Sequence, residues 1–224
     1  MLGADLLGFH TYEYERHFLS SVQRTLGYHS NFNNIILEDR EVKVDSFPMG
    51  IDYEKFSGAA LENYKQNEEQ ESFVQHEINK HLSSEKGTKL ILSIDRLDYT
   101  KGIANRLRAF EYFLDNHPQY HKKVRLVLLA VPSRANVPQY KKLKNEIDQL
   151  VGRINGKFAE ISWTPIWYFY RSLPFENLID LYTSSDVALI TPIRDGMNLV
   201  AKEYVASRTD KTGVLILSLS LIHI

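Results

Sequence analysis

The chain has 224 residues, 43% of them hydrophobic and 25% charged, with a formal net charge of −1 and no cysteine. That length holds one large or two small domains with ample material for a core. The near-neutral charge gives no support to a nucleic-acid or membrane-surface role, and the lack of cysteine excludes a disulfide framework and thiolate chemistry. No apolar run reaches the ~18 residues that a membrane helix needs.

The opening stretch, MLGADLLGFHTYEYERHF, has no basic residues ahead of its short apolar run, so it does not read as a secretory signal. Within residues 1–57, DLLGF and VKVDSFPMGID read as short strands flanking a helix, EYERHFLSSVQRTL. This is α/β structure, yet too little for a sheet of its own. Residues 58–87 are polar and read as a helical connection between two domains.

Residues 88–224 carry four apolar runs: KLILSI (89–94), VRLVLLAV (124–131), VALITPI (187–193) and GVLILSLS (213–220), with a weaker one, ISWTPIWYFY (161–170). They are continuous rather than alternating, the pattern of strands buried on both faces of a parallel sheet. Helical patterns fill the gaps. In GIANRLRAFEYFLDNHP, Ile103, Leu107, Phe110 and Leu114 recur at helical spacing and Pro118 marks the end. YKKLKNEIDQLVGRING and PFENLIDLYTSS follow. The alternation predicts an α/β, doubly wound domain. The aromatic residues Trp163, Trp167, Tyr168, Phe169 and Tyr170 read as packing residues. Both ends of the chain look cut, the last one closing on LSLSLIHI just after a buried strand, so a fragment is expected.

In open α/β sheets, loops at the carboxyl ends of the strands bind ligands. The loop in DRLDYTKG (95–102) offers Arg96 and Lys101, with Gly102 opening the next helix. These form either a phosphate clamp or a solvated loop in which Arg96 pairs with Asp95 or Asp98. AVPSRANV places Arg134 on the next loop, and TPIRDGMN places Arg194 and Asp195 on another. Three cation-bearing loops on one rim point to an anionic, phosphate-bearing ligand. In RDGMNLVAKEYVA (194–206), Met197, Val200, Ala201, Tyr204 and Val205 mark one buried helix face. Asp195 is then an N-cap or, beside Gly196, a ligand group, in which case Glu203 could face the same ligand. GxGxxG, Walker A, HExxH and Asp-x-Asp motifs are missing, and the eight histidines show no metal-ligand spacing.

Taken together, DRLDYTKGI, AVPSR, QLVGRING and TPIRDGMNLVAKEYVA resemble the trehalose-6-phosphate synthases, the retaining, UDP-forming hexosyltransferases of glycosyltransferase family 20. LLGFHTYEYERHFLSS and FPMGID resemble the end of that family's first domain, so the likeness runs over residues 3–218. It implies a GT-B fold, two Rossmann-like domains facing a cleft, with the first incomplete here. It also implies transfer of glucose from UDP-glucose to glucose 6-phosphate, giving trehalose 6-phosphate, in the cytoplasm. Neither a cofactor nor a metal is implied, and the partners are small-molecule substrates only, without nucleic acid or membrane. The implied roles are the donor diphosphate for Arg96 and Lys101, the transferred glucose for Asp195, and the ribose hydroxyls for Glu203. The main chain of Gly196, Met197, Asn198, Leu199 and Val200 holds the donor, and Arg134 the acceptor phosphate. The catalytic set that the resemblance implies is Arg96, Lys101 and Asp195.

The chain departs from the family at both ends. Upstream segments that carry most of the acceptor site are not in it, and the family's E-x-x-G-A-A loop is replaced by LSLIHI. The chain alone is therefore expected to be inactive and marginally folded. The alternative is a non-catalytic sugar-nucleotide-binding or regulatory relative. The residues alone leave uridine against guanosine, and the oligomeric state, open.

Overall fold

The computed structural model describes residues 1–69, 76, 88–134 and 136–218. They fall into two compact units, Met1–Gly50 and Ile51–Ser220.

The first unit builds from β1 (Leu6–Phe9), α1 (Tyr12–Leu26), β2 (Ser30–Asn31), β3 (Asn34–Ile36) and β4 (Glu41–Ser46). Helix α1 starts where the Thr11 side chain accepts from the Tyr14 amide, and stops at Gly27, whose φ of 76° is one that glycine adopts freely. The four strands make one sheet in the order β1-β4-β3-β2, with β1 and β4 parallel and the other pairs antiparallel. Val22, Ile35, Val42 and Val44 form its core. This corrects the expectation that the segment is too small for its own sheet. The missing strands are β2 and β3, joined through Phe32 at φ 51°. They are too short and too polar to show a period-two pattern.

The second unit contains α2 (Tyr53–Glu69), β5 (Lys89–Arg96), α3 (Ile103–Asn116), β6 (Val124–Val131), α4 (Pro138–Phe158), β7 (Ile166–Phe169), α5 (Phe175–Ser184), β8 (Val187–Ile190), α6 (Leu199–Ser207) and β9 (Val214–Leu217). Helix α2 packs against α5 and α6, so the compact boundary falls at Gly50–Ile51, ahead of the expected 57/58. The rest of the expected connection, 70–75 and 77–87, and the closing 219–224 lie outside the described residues.

All five strands of this unit are parallel, in the order β7-β6-β5-β8-β9. Strand β6 lies inside the sheet between β7 and β5 and is buried along nearly its whole length, as a continuous apolar run requires. Strand β9 differs from expectation: it is an edge strand with Val214 54% and Ile216 44% exposed, so only one of its faces is covered. Trp163 is core, its ring nitrogen donating to the Val124 carbonyl at 3.1 Å. Arg125 lies over the Trp167 ring, 4.2 Å from its centre.

From β5 the chain moves outward through β6 and β7, then returns to lay β8 and β9 on the other side of β5. The order therefore reverses between β5 and β8. In sheets of this kind the loops leaving two such strands open a crevice at their carboxyl ends, and that is where ligands bind.

Candidate functional site

The loop after β5 is rigid by construction. Asp98 Oδ1 accepts from the Thr100 amide at 2.9 Å and the Thr100 hydroxyl at 2.8 Å, fixing the short turn Tyr99–Lys101. Gly102 then takes φ 66° to enter α3, and a Cβ there would sit 3.2 Å from both the Thr191 carbonyl oxygen and Ile193 Cγ1. Glycine is needed twice over, for the left-handed backbone and for the approach of the loop after β8. The Thr100 carbonyl accepts from the amides of Ile193 at 2.8 Å and Arg194 at 3.2 Å. Main chain thus stitches together the two loops that flank the reversal point.

That stitching brings Lys101 against Asp195. Their ion pair joins Lys101 Nζ to Asp195 Oδ2, with the side chains only 12% and 11% exposed. Asp195 Oδ2 also accepts from Asn198 Nδ2 at 3.1 Å. Asn198 is the N-cap of α6, its Oδ1 accepting from the Ala201 amide at 3.1 Å. This settles the reading of the helix start against an Asp195 cap, because the three-residue spacing to Ala201 belongs to Asn198. The helix face also differs from expectation. Ala201, Tyr204, Ala206 and Ser207 are buried, whereas Val205 is 58% exposed and Met197 and Val200 are half-buried. A helix starting at Leu199 rather than Met197, packed between β8 and its neighbours, turns a different stripe inward. Gly196 and Leu199 are half-buried as well.

Glu203 lies one turn into α6, where its Oε2 accepts from the buried Tyr182 hydroxyl at 2.6 Å. Burial, reinforced by the Glu203 charge, pushes the Tyr182 phenol far up, so it stays a donor at any ordinary pH. Arg96 is exposed at the end of β5, and among the described residues its side chain makes no ion pair or hydrogen bond. The alternative of an Arg96–Asp95 or Arg96–Asp98 pair is not what the structure has: Asp95 is engaged by Arg106, and Asp98 by Thr100 and Tyr140.

Asp95 pairs with Arg106, a residue that the sequence reading missed. Arg106 Nη2 lies 2.9 Å from Asp95 Oδ2, with the two side chains 1% and 2% exposed. The same guanidinium donates to Ser93 Oγ, to the Lys101 carbonyl at 3.2 Å and to Thr191 Oγ1 at 3.3 Å. One buried cation thus ties β5, the loop carrying Lys101 and the residue that follows β8. Burial raises the Asp95 carboxyl above its ordinary range, and the Arg106 charge and hydrogen bond pull against that rise. A signal was available, since Arg106 lies three residues after Ile103 and four before Phe110 on the apolar stripe of α3. A charge there must be buried and must find a partner.

Arg134, on the loop after β6, sits at φ 45°, a strained conformation for a residue with a side chain. Its Nη1 donates to the Tyr140 hydroxyl at 3.3 Å, and that hydroxyl donates to Asp98 Oδ2 at 2.8 Å. Arg134 is thereby linked to the loop of Lys101. Burial works to raise the Asp98 carboxyl, but the Thr100 and Tyr140 hydrogen bonds and the Arg134 charge hold it below its ordinary range.

The rim therefore presents the exposed cations Arg96 and Arg194, a cation held by an acid (Lys101), and the exposed Arg134 tethered to the loop of Lys101 through Tyr140. Such a set can hold a phosphorylated ligand and stabilise charge that grows on it.

Comparison with known proteins matches this chain to the family model of glycosyltransferase family 20 over residues 1–220. The bifunctional trehalose-6-phosphate synthase/phosphatase of Thermoproteus tenax is 49% identical over 218 residues, covering 97% of this chain and 29% of that protein. An alpha,alpha-trehalose-phosphate synthase (UDP-forming) from Burkholderia xenovorans, solved in complex with glucose-6-phosphate, superposes with a TM-score of 0.87 at 34% identity, covering 97% of this chain and 46% of that one. An E. coli trehalose-6-phosphate structure bound with UDP-2-fluoro glucose gives a TM-score of 0.85 at 32% identity, covering 97% of this chain and 46% of that one. The chain thus spans less than half the length of these relatives. The α/β fold expected from the sequence is the fold of these synthases, and the chain belongs to glycosyltransferase family 20.

Proposed function

We propose that this chain carries the donor-binding part of a UDP-forming trehalose-phosphate synthase, which moves glucose from UDP-glucose to glucose 6-phosphate with retention of configuration. In this reading residues 88–224 are the donor-binding domain and the connection to it, expected over 58–87, begins earlier, with α2 packed on that domain, so that Met1–Gly50 belong to the first Rossmann-like domain. Arg96 and Lys101 hold the diphosphate, Asp195 meets the transferred glucose, and the main chain of 196–200 lines the donor. Glu203 receives the ribose hydroxyls, and Arg134 the acceptor phosphate. The bond from the anomeric carbon to the diphosphate oxygen breaks as the acceptor hydroxyl oxygen enters on the same face, and the hydroxyl proton passes to the departing diphosphate. The chief contribution of the protein is charge stabilisation on the leaving diphosphate by Arg96 and Lys101. With two cations in that role, the reaction in this reading needs neither metal nor cofactor. The setting is cytoplasmic.

The observation that carries the reading is the meeting of Lys101 with Asp195 at the strand-order reversal, where a phosphate-binding cation and a sugar-binding acid must lie side by side. The bond that links a hexose to a diphosphate places those two ligand groups next to each other as well. The experiment is calorimetric titration of the chain with UDP-glucose and GDP-glucose, for the native sequence and for Lys101→Ala. Saturable binding of UDP-glucose that Lys101→Ala weakens at least tenfold is expected, because a charge-assisted contact contributes about 1.5–3 kcal/mol. No binding of either nucleotide sugar, or binding indifferent to Lys101, would contradict the reading.

A further inference from the structure

A diphosphate that approaches Lys101 meets an ammonium whose charge is already offset by Asp195. Both side chains are nearly buried, so water screens the pair weakly and the ligand must compete with it directly. The surroundings are built to keep the pair rather than to let it drift. The Thr100 carbonyl locks the two loops in register, and Asn198 holds the same carboxylate oxygen, Oδ2, that Lys101 holds. The other oxygen of Asp195, Oδ1, makes no hydrogen bond among the described residues.

We propose that Asp195 is an internal competitor of the donor's diphosphate for Lys101, and that this exchange of partners makes the site prefer a nucleotide sugar over the free nucleotide. The proposal rests on the donor seat argued above. A nucleoside diphosphate alone draws Lys101 away and leaves the Asp195 carboxylate with the Asn198 amide as its remaining partner, a costly state for a charge so little exposed. A nucleoside diphosphate carrying a hexose draws Lys101 away in the same manner, but its hydroxyls donate to the released carboxylate. Asn198 keeps that carboxylate in place through the exchange, and Oδ1 is already open to a second hydroxyl. After transfer the hexose is gone, Asp195 regains Lys101, and the same competition favours departure of the nucleoside diphosphate. Arg96, exposed and unengaged among the described residues, takes no part in the exchange and gives either ligand its first contact.

The test is calorimetry of the 224-residue chain with UDP and with UDP-glucose, comparing the native sequence, Asp195→Asn, Asp195→Ala and Lys101→Ala. Asp195→Asn keeps the shape of the side chain and removes the charge. It should tighten UDP binding about 5- to 150-fold, the range of ordinary site-to-site coupling, and reduce the preference for UDP-glucose over UDP by a similar factor. Asp195→Ala should move UDP affinity in the same direction, which keeps the result independent of how well the asparagine packs; thermal melts of each variant establish that the unit is folded. If Lys101→Ala weakens UDP while both Asp195 variants leave UDP affinity unchanged or lower it, the exchange is wrong and the donor seat stands. If Lys101→Ala leaves UDP affinity unchanged, the donor seat falls and the exchange falls with it.

Discussion

Replacing Arg106 by alanine should be the most damaging single change to the second unit. The variant leaves the Asp95 carboxyl, its side chain 2% exposed, without its cation and removes the shared donor of Ser93, the Lys101 carbonyl and Thr191. With neither partner reached by solvent, screening gives no discount. Breaking such a pair from one side costs about 3–5 kcal/mol. For a unit of this size that corresponds to a melting temperature lower by about 6–20 °C. The sign of its pH dependence follows from Asp95. Its folded-state carboxyl is raised above the ordinary value by burial, against the opposing pull of Arg106, so its ionisation costs stability at neutral pH. Without Arg106 the rise is larger. The deficit of the variant relative to the native chain should be full at pH 7 and should shrink as pH falls and Asp95 takes up a proton. Both tryptophans, Trp163 and Trp167, lie in the second unit, so urea unfolding followed by tryptophan fluorescence reports that unit alone. Arg106→Met combined with Asp95→Leu should recover most of the loss, because an apolar pair removes the stranded charge. A loss below about 1 kcal/mol, or a deficit that stays the same on acidification, would refute the reasoning.

Three further outcomes are expected. Gly102→Ala should cost about 1–2 kcal/mol for the left-handed backbone and, by pushing Thr191 and Ile193 away, should also weaken UDP-glucose binding in a titration of the folded variant. Asn198→Ala should cost about 1 kcal/mol in urea unfolding through loss of the α6 cap, with a further effect on donor binding because Asp195 loses a partner. Tyr140→Phe should destabilise the chain at neutral pH in urea unfolding, through loss of the hydrogen bond to Asp98. Asp98 contributes stability that is present above the ordinary carboxylate range and lost as pH falls through its depressed folded value, so the gap between this variant and the native chain should close on acidification.

What the sequence made legible was whatever rests on long, uniform patterns. The runs that became β5 and β6 are continuous and apolar because both their faces are covered, and the stripe Ile103, Leu107, Phe110 and Leu114 is the buried face of α3. The rim loops with Arg96, Lys101, Arg134 and Asp195 follow from strand order plus charge. What stayed hidden depends on pairing between distant residues. The β2–β3 hairpin has too few side chains for a period. The exposure of β9 follows from its place at the sheet edge, which its composition does not carry. Partner choice among charges was hidden too. Arg96 and Arg106 both lie within reach of Asp95 along the chain, and only the packing of α3 on the sheet decides that the buried one takes it.

The central claim is that the crevice where β5 and β8 diverge is a sugar-nucleotide seat. A crystal structure of the chain with UDP-glucose tests it most directly. The account predicts the diphosphate within hydrogen-bond distance of Arg96 and Lys101 Nζ, the hexose hydroxyls on Asp195, and the ribose beside Glu203. A nucleotide bound elsewhere, or one seated at the crevice with the Lys101–Asp195 pair and Arg96 both untouched, would contradict it.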